Sequence, residues 1–232
     1  MKPIAISMNF KQLFRGNDLI EQNYIEYYSK FDILPILISN ALANPTEYCR
    51  HFDVEGIILT GGIDIETEVI NADSSGRGKK CRGRDAVEWQ LLKMAVESNM
   101  PVLGICRGMQ LINLFFGGNI IINMDKTIPG AISHTAVEHD VIITDSGFQS
   151  ILKCDSLRVN SFHNHGLIES SIAPDLCEFA RCAEDNSVEG IFHPGYPILG
   201  IQWHPERREA INENEFQLLK TFFTQGKFLK GK

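Results

Sequence analysis

A cysteine framed by glycines, and a histidine two residues ahead of a glutamate, are the residues of this chain best suited to covalent chemistry. The cysteine lies in Gly104-Ile105-Cys106-Arg107-Gly108, directly after the apolar run Pro101–Ile105 and before a helical stretch containing Leu111, Ile112, Leu114 and Phe115. A strand turning sharply into a helix, with small neighbours, is the geometry of a nucleophile elbow. At the helix start the macrodipole favours a thiolate, and the Arg107 amide is left to meet an oxyanion. The histidine lies in Gln202-Trp203-His204-Pro205-Glu206, at the end of the apolar run from Ile198. Pro205 stops the strand, so His204 and Glu206 can project from one strand end. One imidazole nitrogen then serves the thiol and the other the carboxylate, which is the logic of a nucleophile, base and orienter. A buried core cysteine and a structural histidine are the plainer readings of each residue alone. Their combination favours the triad Cys106, His204 and Glu206.

The elements that must position these residues follow from periodicity. Short apolar runs recur at Ile4–Ser7, Ile33–Ile38, Gly56–Thr60 and Pro101–Ile105. Helix-like stretches, Leu19–Lys30, Pro45–Phe52 and Asp85–Ser98, separate them. In the last, Asp85 is suited to capping and Glu88 to a capping box, with Val87, Leu91, Met94 and Ala95 on one face. The alternation implies a parallel sheet covered on both sides. The second half reads as strands at Val137–Thr144, Ile151–Cys154, Leu157–Asn160, Glu178–Ala183, Val188–Phe192 and Ile198–Trp203. A closing helix follows at Asn212–Thr224, with Phe216, Leu219 and Phe223 inward. With neither repeat nor linker, residues 1–232 read as one α/β domain.

Gly-Ile-Cys-Arg-Gly-Met-Gln and Gln-Trp-His-Pro-Glu resemble the two signature motifs of class I glutamine amidotransferases. Gly83-Arg84-Asp85, Val159-Asn160-Ser161-Phe162-His163 and His193-Pro194-Gly195 resemble the free-standing γ-glutamyl hydrolases of that superfamily, including those acting on γ-glutamyl-γ-aminobutyrate and γ-glutamyl-CDP-amidate. The resemblance implies a three-layer α/β/α sandwich around a mostly parallel, flavodoxin-like sheet. It also implies attack of Cys106 on a γ-glutamyl carbonyl, a thioester, and hydrolysis by water activated by His204, with no metal or organic cofactor. The amide of Gly62, or of Gly61, would join that of Arg107 in the oxyanion hole; an ordinary strand-to-loop turn is the alternative. Gln110, one helical turn beyond the nucleophile, matches a glutamine that holds the glutamyl group. Asn164-His165-Gly166-Leu167 resembles a glutamine-holding loop of carbamoyl phosphate synthetase, so Asn164, Gly166 and Leu167 join Ser161 and His163 as candidate substrate contacts. A structural role suits His163 equally, and His134 and His139 read as structural or surface residues.

The 232 residues carry a net charge of -7 and are 44% hydrophobic, enough for a buried core and unlike a basic nucleic-acid binder. No run approaches a membrane span, and no leader is evident. Six cysteines without a Cys-x-x-Cys pair signal neither zinc nor a disulfide framework, which suits a cytoplasmic protein. The expected partner is a small γ-glutamyl substrate, with a homo-oligomer allowed. Against the acidic background, Gly76–Arg84 is basic. It is either a solvated loop or a flap whose Arg77, Lys79, Lys80 and Arg82, with Arg84, hold an anionic leaving group, a phosphate suiting it best. A glutaminase subunit feeding a synthetase, a catalytically dead binding module and a cysteine α/β-hydrolase are competing readings. The last has its acid before its histidine, unlike this chain.

Overall fold

Alternate residues of the apolar strands face opposite ways, and that alternation builds the layers. Ile4, Ile6, Ile58, Leu103, Ile105, Leu199 and Ile201 enter one buried cluster, whereas Ala5, Ile57, Leu59, Val102 and Ile198 enter another. The computed structural model of the protein describes residues 1–11, 16–65 and 83–225. Arg77, Lys79, Lys80 and Arg82 lie outside the described residues.

The central sheet is formed by β1 (Lys2–Ser7), β4 (Ile33–Ile38), β5 (Gly56–Leu59), β6 (Val102–Ile105), β7 (Thr135–Ile143), β8 (Ser156–Phe162), β9 (Cys177–Cys182), β10 (Val188–Phe192) and β11 (Ile198–Ile201). Their order is β4-β1-β5-β6-β11-β10-β9-β7-β8. The first five are parallel; β10 and β7 then run against their neighbours, so the sheet is mostly parallel. Pro35 stands in the edge strand β4, where a missing ladder donor is tolerated. Helices α2 (Pro45–His51), α3 (Gly83–Ser98) and α4 (Arg107–Phe115) contribute to the second cluster; α1 (Gln22–Tyr28), α6 (Ser146–Leu152) and α7 (Glu213–Gln225) contribute to the first. This is the expected three-layer α/β/α arrangement.

Several local expectations give way. Ile151–Cys154 is not a strand: α6 occupies Ser146–Leu152, capped by Asp145, whose carboxylate accepts from the Gly147 and Phe148 amides at 2.8 and 3.1 Å. The first helix is shorter than Leu19–Lys30, because Leu19 closes the small hairpin of β2 (Asn9–Lys11) and β3 (Asn17–Leu19). Asp85 and Glu88 lie within α3 and not ahead of its first residue, Gly83, and are buried against arginines. A short helix, α5 (Met124–Thr127), follows α4. Among the described residues no helix is long and apolar enough to cross a membrane.

Candidate active site

Cys106 joins β6 to α4 with φ 52° and ψ −103°, a conformation that costs a side-chain-bearing residue about 1–3 kcal/mol. The strain is held on both sides. The Cys106 amide donates to the Ile201 carbonyl at 2.7 Å, and the Cys106 carbonyl accepts from the Gln110 amide at 3.2 Å. The flanking glycines are steric requirements: a Cβ on Gly104 would lie 2.6 Å from the Gly108 carbonyl carbon, and one on Gly108 would strike the Leu59 carbonyl. As the first residue of α4, Arg107 has no intrahelical acceptor for its amide.

β11 is paired with β6, which brings its C-terminal end beside the elbow. His204, just beyond it, is buried, and its Nδ1 lies 2.6 Å from Glu206 Oε1. Burial opposes a charged imidazole here. The Glu206 carboxylate and hydrogen bonding with Cys106 outweigh it, lifting the His204 pKa to about 9. At neutral pH His204 is therefore an imidazolium facing the thiol, the environment that activates a cysteine nucleophile. The three residues expected from the sequence thus meet.

Asn160 of β8 clamps the histidine's backbone. Its Nδ2 donates to the His204 carbonyl at 2.8 Å, and its Oδ1 accepts from the His204 amide at 2.9 Å. Gln202 Nε2 donates to Cys106 Sγ at 3.4 Å, and Gln110 Nε2 donates to the His165 carbonyl at 2.8 Å and to Gln202 Oε1 at 3.4 Å. Gln110 is therefore tied to the nucleophile through Gln202.

The Gly61–Gly62 pair divides. Gly61 packs against His204, where a Cβ would lie 2.6 Å from Cε1, and its amide is spent on Tyr24 Oη at 2.9 Å. Gly62, with φ 139°, adopts a backbone that side chains rarely accept. This loop is anchored by Arg84, which is buried and so does not contact an exposed leaving group as the basic-flap reading expected. Its guanidinium donates to the Thr60 carbonyl at 2.6 Å, to the Gly61 carbonyl and Asn9 Oδ1 at 3.0 Å each, and to Glu88 at 2.8 Å. Glu88 and Asp85 both pair with the Arg107 guanidinium. The loop and the elbow are thereby joined through one buried network. Sequence reading missed it, although Arg84 and Glu88 at i,i+4 beside Val87 and Leu91 place charge next to an apolar face.

The remaining candidates scatter. Asn164 is exposed and accepts from Thr135 Oγ1 at 2.7 Å. Gly166 spends its amide and carbonyl on Ile121, and Leu167 is core, its carbonyl accepting from the Val188 amide. Ser161 and His163 are buried among His134, His139 and Glu189; Ser161 Oγ donates to the His134 carbonyl, and His163 Nδ1 to that of His165, both at 2.9 Å. A cleft of about 520 Å³ is lined by Asn160, Phe162, Arg207 and neighbours, with neither Cys106 nor Gly62 among its described lining residues.

The model of the Peptidase C26 family matches residues 4–206. The chain is 30% identical to Protein NtpR of Enterococcus hirae, over 97% of this chain and 99% of that protein. It is 30% identical to a γ-glutamyl-CDP-amidate hydrolase of Campylobacter jejuni, over 76% of this chain and 73% of that one. The γ-glutamyl-γ-aminobutyrate hydrolase PuuD of Escherichia coli is 26% identical, over 88% of this chain and 83% of PuuD. In structure the chain resembles the glutaminase domain of Trypanosoma brucei CTPS with bound acivicin, with a TM-score of 0.68 at 15% identity, covering 97% of this chain and 94% of that one. That likeness is one of fold.

Proposed function

Because the chain belongs to the Peptidase C26 family, we propose that it hydrolyses γ-glutamyl amides through a thioester on Cys106. The observation that carries this reading is the convergence of a strained Cys106, His204 and Glu206 at the ends of two paired strands. The thiolate attacks the γ-carbonyl, and the amides of Arg107 and Gly62 receive the developing oxyanion. Gly61 shapes the wall behind His204, its amide being taken by Tyr24. His204 gives its proton to the departing nitrogen, then removes one from the water that cleaves the thioester. Glu206 keeps the imidazole oriented. Gln110 positions the glutamyl group with Gln202, while Ser161, His163, Gly166 and Leu167 support the site from behind it.

The leaving group is an amine or amidate, and we favour one bearing phosphate or carboxylate. Support comes from the basic residues Arg77, Lys79, Lys80 and Arg82 close in sequence to the Gly62 loop, and from similarity to a relative named for a CDP-amidate. The test is glutamate release from glutamine, γ-glutamyl-γ-aminobutyrate, a γ-glutamyl-polyamine and a γ-glutamyl nucleotide amidate. Release from at least one, fastest with an anionic leaving group and lost by several orders of magnitude in Cys106→Ala, is the expected result. Release from none, or release that survives Cys106→Ala, refutes the reading.

A further inference from the structure

Behind the catalytic strand end lies a second group of ionisable residues that the proposed reaction does not use. Glu189 of β10 is fully buried, and neither of its carboxylate oxygens has a hydrogen-bond partner among the described residues. Three buried imidazoles surround it. His163 Nε2 lies 3.6 Å from Oε1, His134 Nδ1 lies 3.8 Å from the same oxygen, and His139 Nε2 lies 3.8 Å from Oε2. The His163 and His139 Nε2 atoms also have no partner among the described residues.

These separations are informative. They are too long for direct hydrogen bonds. A water hydrogen-bonded to two atoms holds them about 4.6 Å apart at a tetrahedral angle, so they are too short for a shared water. Two ligands about 2.0–2.1 Å from one zinc ion lie about 3.3 Å apart at a tetrahedral angle and about 4.1 Å apart when opposed, a range that includes the observed spacing.

The outer contacts hold the far nitrogens of two of these rings. His163 Nδ1 donates to the His165 carbonyl at 2.9 Å, which leaves the Nε2 lone pair directed at Glu189. His134 Nε2 donates to Asp185 Oδ2 at 2.9 Å and lies 3.3 Å from Ser187 Oγ, which turns Nδ1 toward Glu189 with Ser161 Oγ at 3.2 Å beside it. A histidine whose far nitrogen is held by a carboxylate or carbonyl is the usual support of a metal ligand. The ligand atoms of His134, His163 and Glu189 all lie within 4.8 Å of one another. We propose that His134, His163 and Glu189 form a buried site for a divalent transition-metal ion, with zinc its best chemical match, His139 facing the second carboxylate oxygen, and Asp185 and the His165 carbonyl orienting the imidazoles. Two imidazoles and a carboxylate suit zinc better than magnesium or calcium. The site belongs to the frame of the active centre: the Glu189 carbonyl accepts from the Gln202 amide at 2.8 Å, and Asn160, which clamps His204, precedes Ser161 on β8.

The test uses the full chain carrying Cys106→Ser, which removes the catalytic thiol as a competing zinc ligand, produced in zinc-supplemented medium and passed over a chelating resin. The expected result is about one zinc per folded chain by elemental analysis, a lower Tm after removal with a strong chelator, and recovery with zinc alone. Glu189→Gln keeps the shape of the side chain and should weaken zinc binding at least ten-fold. Asp185→Asn, which changes the group that orients His134 and keeps an oxygen for the Ser187 amide, should weaken it about 10–100-fold, and it serves should Glu189→Gln not fold. A folded chain without stoichiometric zinc, or zinc retained equally by the Glu189→Gln and Asp185→Asn proteins, overturns the proposal.

Discussion

Arg84, Asp85, Glu88 and Arg107 bring two cations and two anions together on one side of the elbow, whereas across the sheet Glu189 meets three imidazoles and no full-time cation. Both groups are buried. In the first, both Glu88 oxygens are engaged by guanidinium groups, and Arg84 carries the connection on to the backbone of Thr60 and Gly61. In the second, neither Glu189 oxygen has a hydrogen-bond partner among the described residues. Burying charge is tolerable where partners are permanent, as with arginine, and conditional where they titrate, as with histidine. The first network should therefore stand alone and the second should depend on what it binds.

The sharpest way to break this contrast is to remove one member of the permanent network. Glu88→Ala removes the carboxylate shared by two buried guanidinium groups, leaving Arg107 with Asp85 and Arg84 with Asn9 and the Thr60 and Gly61 carbonyls. It should cost about 3–5 kcal/mol in urea unfolding, with no dependence on zinc or chelator. A loss below about 1 kcal/mol would show that those remaining acceptors suffice, and the contrast would fail.

Charge can also be withdrawn from the triad. His204 is raised to about 9 in the folded chain by Glu206 and Cys106 against its burial. A group raised on folding stabilises fully below its unfolded pKa, near 6.5, and this contribution fades as pH rises through about 9. The imidazolium that favours the thiolate is lost over the same window, so activity should fall on an alkaline limb near pH 9. Glu206→Gln should move that limb to lower pH while lowering turnover less than His204→Ala, because the amide still holds the imidazole. An alkaline limb at the same pH in both proteins would remove Glu206 from this role.

The smallest effect is expected at Asn160. Asn160→Ala removes two hydrogen bonds to the His204 backbone, each worth about 0.5–1.5 kcal/mol, so kcat should fall about ten-fold with KM nearly unchanged. Equal changes in kcat and KM would place Asn160 in substrate binding instead of in positioning the base.

Chain-local features were the legible ones. Gly104–Gly108 announces its own turn, since the glycines, cysteine and flanking apolar runs are contiguous, and His204 with Glu206 lies at one strand end. A parallel sheet covered on both sides followed from the alternation of apolar runs and helices, and the three-layer α/β/α sandwich from the family resemblance. What required the structure was made by pairing distant segments. Arg107 meets Asp85 and Glu88 only because β6 delivers the elbow against α3, and no spacing rule joins them. His134, His163 and Glu189 stand beside or within β7, β8 and β10, in a stretch of sheet whose order, β10-β9-β7-β8, differs from the sequence order. A Cys-x-x-Cys pattern is read along the chain, whereas this cluster is assembled across it. At Ile151–Cys154 the difference has a local cause: Ile151 and Leu152 suit a strand, but Asp145 caps a helix that starts ahead of them.

The central claim, covalent catalysis by Cys106, is tested most directly by acid-quenching the enzyme during turnover of its best γ-glutamyl substrate and mapping adducts by peptide mass spectrometry. A single glutamyl group on the peptide carrying Cys106, released by hydroxylamine and accumulating in Glu206→Gln, is the predicted result. Turnover with no adduct under any quench, together with an unmodified Cys106 peptide, would contradict it.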